Sequence, residues 1–128
     1  MLNGASGGRD NEDFWDKENR WLKFRADIQF ITDQLARVER KIRFFLDASG
    51  YLYILGTYYD VRHLKNVVSV RNYVFTRKPQ NLDMNLFYNN LNEELERWTE
   101  CMNEVICLQA KSCHLNARLK HLSRSEPW

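Results

Sequence analysis

A chain of 128 residues with a formal net charge of +2 has the size of one domain, and its net charge is too small to attract nucleic acid by itself. Its three cysteines all fall in one predicted helix and form a poor disulfide framework, which favours the cytoplasm or nucleus over secretion. No stretch approaches the roughly 18 apolar residues of a membrane-spanning helix, so we expect no membrane association.

The first predicted helix covers residues 11–48 and follows a flexible tail at residues 1–10, which holds three of the five glycines. Apolar residues in this helix alternate at spacings of three and four, which is the a/d seam of a coiled coil. The seam consists of Trp21, Phe24, Ile28, Ile31, Leu35, Val38, Ile42 and Phe45. Gly50 suits the left-handed position that ends many helices.

Residues 51–76 change to a period of two and are rich in β-branched and aromatic side chains, which predicts two strands. The first strand would start at Tyr51 and the second would include Val68, Val70 and Val74. A seven-residue connection, 60–66, would join them. A helical turn in that connection, or a helix over 58–70, is the competing interpretation.

A second helix is predicted over residues 81–124, after the breaker at Pro79, with Asn81 as its N-cap. Its a positions are Met84, Leu91, Trp98, Val105, Ser112 and Leu119. Its d positions are Phe87, Glu94, Cys101, Leu108, Leu115 and Leu122. The charged Glu94 interrupts this seam, and the adjacent Leu95 takes its place.

Both helices run from an acidic end to a basic end, so antiparallel packing places opposite charges together. The same gradient would suit an antiparallel dimer of either helix. In the hairpin, Ile42 would face Leu91 and Leu35 would face Trp98. We therefore predict a mainly α fold: a long antiparallel coiled-coil helical hairpin, with a small β-hairpin or extended segment between the helices.

Several large apolar side chains lie off the two seams and would be exposed in a lone hairpin. They are Trp15, Leu22, Phe30, Phe44, Leu95 and Met102. Exposed apolar patches of this size usually mark association. These six residues are the predicted protein-interaction residues, and we expect oligomerisation to complete a helical bundle, either as a homodimer or with a heteromeric coiled-coil partner.

Residues 58–78 combine five cations with several aromatic rings, the ingredients of a nucleic-acid surface. The cations are Arg62, Lys65, Arg71, Arg77 and Lys78. The alternative is a solvated tip whose charges prevent aggregation of the strand edges, and we favour this alternative.

The sequence contains no phosphate-binding loop and no motif of a catalytic centre, so we expect no catalytic residues and no cofactor. Cys107, His114 and His121 lie seven residues apart, about 10.5 Å along a helix, which is too far for any two to bind one zinc ion. We therefore expect no metal site.

These observations predict a non-enzymatic coiled-coil interaction protein, an oligomerising adaptor or a subunit of a multiprotein complex. The order helix, β-hairpin, helix over about residues 12–122 is similar in architecture, without a specific motif, to the β-type subunit of prefoldin. That resemblance implies a chaperone subunit that grips unfolded proteins with apolar residues at its tips, which is the alternative function. A scaffold that binds nucleic acid through the basic tip, residues 58–78, is a second alternative.

Overall fold

The computed structural model describes the backbone of residues 2–125 and the side chains of residues 14–125. Five elements follow one another: α1 (Leu2–Ala48), β1 (Tyr51–Ile54), β2 (Thr57–Asp60), α2 (Val67–Arg77) and α3 (Met84–Arg124). The prediction of a mainly α protein, with two long antiparallel helices and a small β-hairpin between them, is confirmed.

Helix α1 is longer than the predicted helix 11–48, because it begins at Leu2 and includes most of the segment 1–10 that we expected to be a flexible tail. Glycines weaken a helix by about 1 kcal/mol each, but only proline removes a helical hydrogen bond, and this segment has none. The side chains of residues 1–13 lie outside the described residues.

The chain divides into two compact units. The first contains the residues up to Arg37 and those from Lys111 onward, and its α1 and α3 segments run antiparallel. Ile31, Leu35 and Leu115 are its buried apolar residues within the described part. This unit is therefore a pair of helices that packs along one seam.

The second unit, Val38–Ala110, contains the largest apolar core. The hairpin, α2 and the first half of α3 build it together. Its buried members are Leu52, Ile54, Tyr59, Val61, Val70, Val74, Phe87, Leu91, Leu95 and Trp98. Burial of side chains of this size stabilises a fold by roughly 1.5–3 kcal/mol each, so this core anchors the whole region between the long helices.

Residues 67–77 form the helix α2, so the predicted second strand at Val68–Val74 is wrong. Asn66 is the N-cap, and its side chain accepts a 2.8 Å hydrogen bond from the backbone N–H of Ser69. Val70 and Val74 lie one turn apart and are both buried. The cap and this packing outweigh the weak preference of valine for strands.

The β-hairpin closes within residues 51–60, with β1 antiparallel to β2 and Tyr51 paired with Asp60. Leu55 and Gly56 form its two-residue turn, and both have positive φ angles, 46° and 86°. This geometry matches the right-handed twist of the strands. A tight turn therefore replaces the predicted seven-residue connection.

The predicted register of α1 against α3 is also wrong. Pairing Ile42 with Leu91 would place Ser49 opposite Met84. Instead, the Ser49 hydroxyl donates to the sulfur of Met102 at 3.6 Å, about two and a half heptads further along α3. The reason is that the hairpin and α2, rather than α1, cover the first turns of α3.

Candidate interaction surfaces

Three of the predicted interaction residues form an exposed apolar face on α1 in the first unit. Trp15, Leu22 and Phe30 are 60%, 54% and 59% exposed. At 100° per residue they fall within an arc of about 80° on the helix surface. We call these three side chains the α1 face. The seam residues of the same helix point elsewhere, because Ile31 and Leu35 are buried.

Phe44 lies in the second unit and is 65% exposed, as its position off the seam predicts. Its ring contacts the half-buried Phe45 edge-on, with 5.3 Å between ring centroids. Leu46 and Ile106 in the same unit are also exposed. The second unit therefore has apolar surface of its own.

Leu95 and Met102 do not belong to an exposed surface, which corrects their assignment as off-seam interaction residues. Leu95 is only 7% exposed and lies in the core of the second unit, and Met102 packs against that core. The assignment considered only the packing of the two long helices against each other. Because residues 67–77 form a helix, α2 and the hairpin cover this side of α3.

Asp60 partly neutralises the positive charge of the basic tip, residues 58–78. Arg62 donates to both carboxylate oxygens of Asp60, from Nε at 3.0 Å and from Nη2 at 2.6 Å. These hydrogen bonds lower the pKa of the Asp60 carboxyl to about 2 and raise the pKa of the Arg62 guanidinium. The guanidinium carbon of Arg62 also lies 5.1 Å from the ring centre of Tyr51. One of the five predicted cations is thus engaged.

Two further cations lie over aromatic rings of α2. The Arg77 guanidinium is 3.7 Å from the ring centre of Tyr73, and the Lys78 ammonium is 5.3 Å from that of Phe75. Such contacts contribute about 0.5–1 kcal/mol at exposed sites and occupy the ring faces that bases would stack on. Lys65 and Arg71 are exposed. The predicted nucleic-acid residues therefore share one region but do not form a continuous row of free cations.

A polar cluster on α3, which we did not predict from the sequence, holds the β-hairpin. Arg97 donates to the carbonyl oxygens of Ala48 at 2.5 Å and Tyr51 at 2.8 Å, and its Nε donates to Glu94 at 2.6 Å. Glu94 also accepts the backbone N–H of Tyr53 at 2.8 Å. The sequence did contain an indication of this cluster, because Glu94 is the charged residue that interrupts the d positions of the second seam.

The second unit also contains a cleft of about 430 Å³. Its lining includes the apolar side chains of Leu64, Trp98, Met102 and Val105. Tyr59, which lies in β2, is buried in the core of the second unit. Burial raises the pKa of this phenol.

Within the described part of the chain, no group of three or more histidine, cysteine or acidic residues could hold a metal ion. The described helices also include none that is both long enough and apolar enough to cross a bilayer. Cys107 and Cys113 are exposed, and Cys101 is half-buried.

Comparison with protein-family models, with curated proteins and with solved structures finds no match in any of the three.

Proposed function

We propose that this chain is a non-enzymatic interaction protein, an adaptor or a subunit of a complex, that binds a helix of another chain along the α1 face. The observation that carries the proposal is the exposure of Trp15, Leu22 and Phe30 on one side of α1. A lone helix pair leaves these side chains in water, whereas the seam residues Ile31 and Leu35 of the same helix are buried.

The energetics favour association through this face. Burial of each of the three side chains is worth roughly 1.5–3 kcal/mol, so together they offset a substantial part of the entropic cost of binding. Large aromatic residues are also the most frequent anchors of protein interfaces. The bound helix would come from a second copy or from a different coiled-coil protein.

The test is the double variant Leu22→Lys/Phe30→Lys, which removes two side chains of the α1 face and keeps good helix formers. A matched control, Thr32→Lys/Asn116→Lys, adds the same charge at exposed polar positions of the first unit that lie outside the α1 face. We expect wild type and control to form a dimer in light scattering, or to co-purify with one partner in a fixed ratio. The double variant should lose this association while its circular dichroism stays helical.

A dimer of the purified chain that is lost in the double variant would identify a second copy as the partner of the α1 face. A fixed-ratio complex with another protein would identify a heteromer. The proposal is wrong if the wild-type chain is a monomer at high micromolar concentration and binds no protein, or if the double variant associates as strongly as the control.

A chaperone subunit is the second candidate, favoured by the aromatic side chains that the β-hairpin exposes. Tyr51, Tyr53 and Tyr58 are all exposed there. A chaperone should suppress the aggregation of an unfolded test protein, whereas an adaptor should not. Strong suppression by the wild type that is lost in Tyr53→Lys/Tyr58→Lys would place this candidate first.

A further inference from the structure

The two edges of the β-hairpin have different environments. Side chains of α3 cover the outer edge of β1: Glu94 accepts the N–H of Tyr53, and Arg97 donates to the carbonyl oxygen of Tyr51. Just beyond the strand, Asn90 accepts the N–H of Leu55 at 3.0 Å. No further strand can therefore pair with β1.

The outer edge of β2 has no such cover. The pairing of Leu52 with Tyr59, together with the bond from Val61 N to Gly50 O at 2.9 Å, directs the backbone groups of Tyr58 and Asp60 away from β1. Among the described residues, no group bonds to the N–H or C=O of either residue. Tyr58 is 72% exposed, so this edge is accessible.

We propose that β2 pairs edge to edge with β2 of a second copy, in antiparallel orientation, to form a four-stranded sheet across a twofold axis. Tyr58 would lie opposite Asp60 of the second copy, and Asp60 opposite Tyr58. The two pairs would form four backbone hydrogen bonds, with the axis passing beside Tyr59. This surface is distinct from the α1 face.

Charge favours this partner and this register. In this register, each Asp60 lies opposite Tyr58 of the other copy. A shift of one β2 strand by two residues would instead place the two Asp60 carboxylates directly opposite each other. The Asp60–Arg62 pair of one copy would lie beside the Tyr58 ring of the other. Arg62 already lies near an aromatic ring, that of Tyr51, so its guanidinium is suited to such a contact.

Amide hydrogen exchange of the full chain tests the proposal, because an edge amide is protected only when a strand covers it. We expect the Tyr58 and Asp60 amides to exchange about tenfold more slowly at millimolar than at micromolar protein concentration. The Tyr53 amide, which Glu94 bonds within one chain, is the internal control and should show no dependence on concentration.

The variant Tyr58→Pro removes one outward N–H that the hairpin itself does not use. We expect the Asp60 amide to exchange rapidly at every concentration in this variant, while the Tyr59 amide confirms that the hairpin is folded. Because the readout is local to β2, it is independent of the result obtained for the α1 face. Rapid exchange at Tyr58 in the wild type at millimolar concentration would overturn the proposal. Protection that appears only with another protein bound would also overturn it, in favour of an extended segment of that protein.

Discussion

Asp60 and Arg62 form an ion pair in which both carboxylate oxygens accept hydrogen bonds. These bonds lower the pKa of Asp60 from 3.8 to about 2. A lowered pKa means that the folded chain binds this proton less readily than the unfolded chain. The pair therefore stabilises the fold above about pH 4, and this contribution is lost as the pH falls towards about 2.

We predict that a carboxyl NMR titration of Asp60 has its midpoint near 2 and that Arg62→Gln returns it towards 3.8. Arg71→Gln removes an exposed cation of the same region and should leave the midpoint unchanged. A wild-type midpoint near 3.8 would mean that the pair does not persist in solution.

Leu55 has a φ of 46°, a conformation that costs a leucine about 1 kcal/mol and that asparagine adopts more readily. We predict that Leu55→Asn raises the free energy of unfolding by about 0.5–1 kcal/mol. Urea unfolding measures the change, and Leu86→Asn, at an exposed helical position, is the control without this gain. No gain at Leu55 would show that its side chain makes compensating contacts.

Gly50 follows the end of α1, but not in the left-handed conformation that we predicted for it. The sequence suggested a left-handed helix end, but Gly56 is the described glycine with positive φ. At Gly50 an added Cβ would lie 2.9 Å from Cγ of Arg62 and 3.3 Å from the carbonyl oxygen of Asp47. Glycine is needed there because the Arg62 side chain passes close to the backbone.

At the level of elements, Arg97 connects three of them, since it lies on α3 and donates to the last residue of α1 and the first of β1. A cation at the C-terminal end of a helix also interacts favourably with the helix dipole. We predict that Arg97→Met lowers the free energy of unfolding by about 1–3 kcal/mol, because both carbonyl groups and Glu94 lose a charged donor. Denaturant unfolding measures this loss.

Arg97→Lys is the informative comparison, since lysine keeps the charge but lacks the planar fork that reaches two carbonyl groups. We expect Arg97→Lys to lower the free energy of unfolding by less than Arg97→Met does. If both variants are as stable as the wild type, the cluster on α3 does not hold the hairpin.

For the whole molecule, the net charge of +2 and the engaged cations of the tip disfavour nucleic-acid binding. We predict no salt-sensitive mobility shift with single- or double-stranded nucleic acid for the wild type. The control is the variant in which five cations are replaced by Glu, and it should give no mobility shift either. The five are Arg62, Lys65, Arg71, Arg77 and Lys78. Tight wild-type binding that weakens steeply with salt and disappears in this variant would contradict the prediction.

Features that depend on local periodicity and charge could be predicted before the fold was known. The spacing from Trp21 to Phe45 predicted a long helix, and the acidic-to-basic gradient predicted antiparallel packing; the structure confirms both. The exposure of Trp15, Leu22, Phe30 and Phe44 also followed from their positions off the seam. A helical face is a property of its own sequence, so such features need no knowledge of the partner element.

Which element covers which depends on contacts between residues far apart in the chain. Residues 67–77 are helical because Asn66 caps them and Val70 and Val74 pack into a core supplied by distant residues, and valine itself favours a strand. That helix and the hairpin then bury Leu95 and displace the last turn of α1 along α3. Register and burial depend on residues far apart in the chain, and a repeating heptad pattern is compatible with several registers, so periodicity alone does not select one.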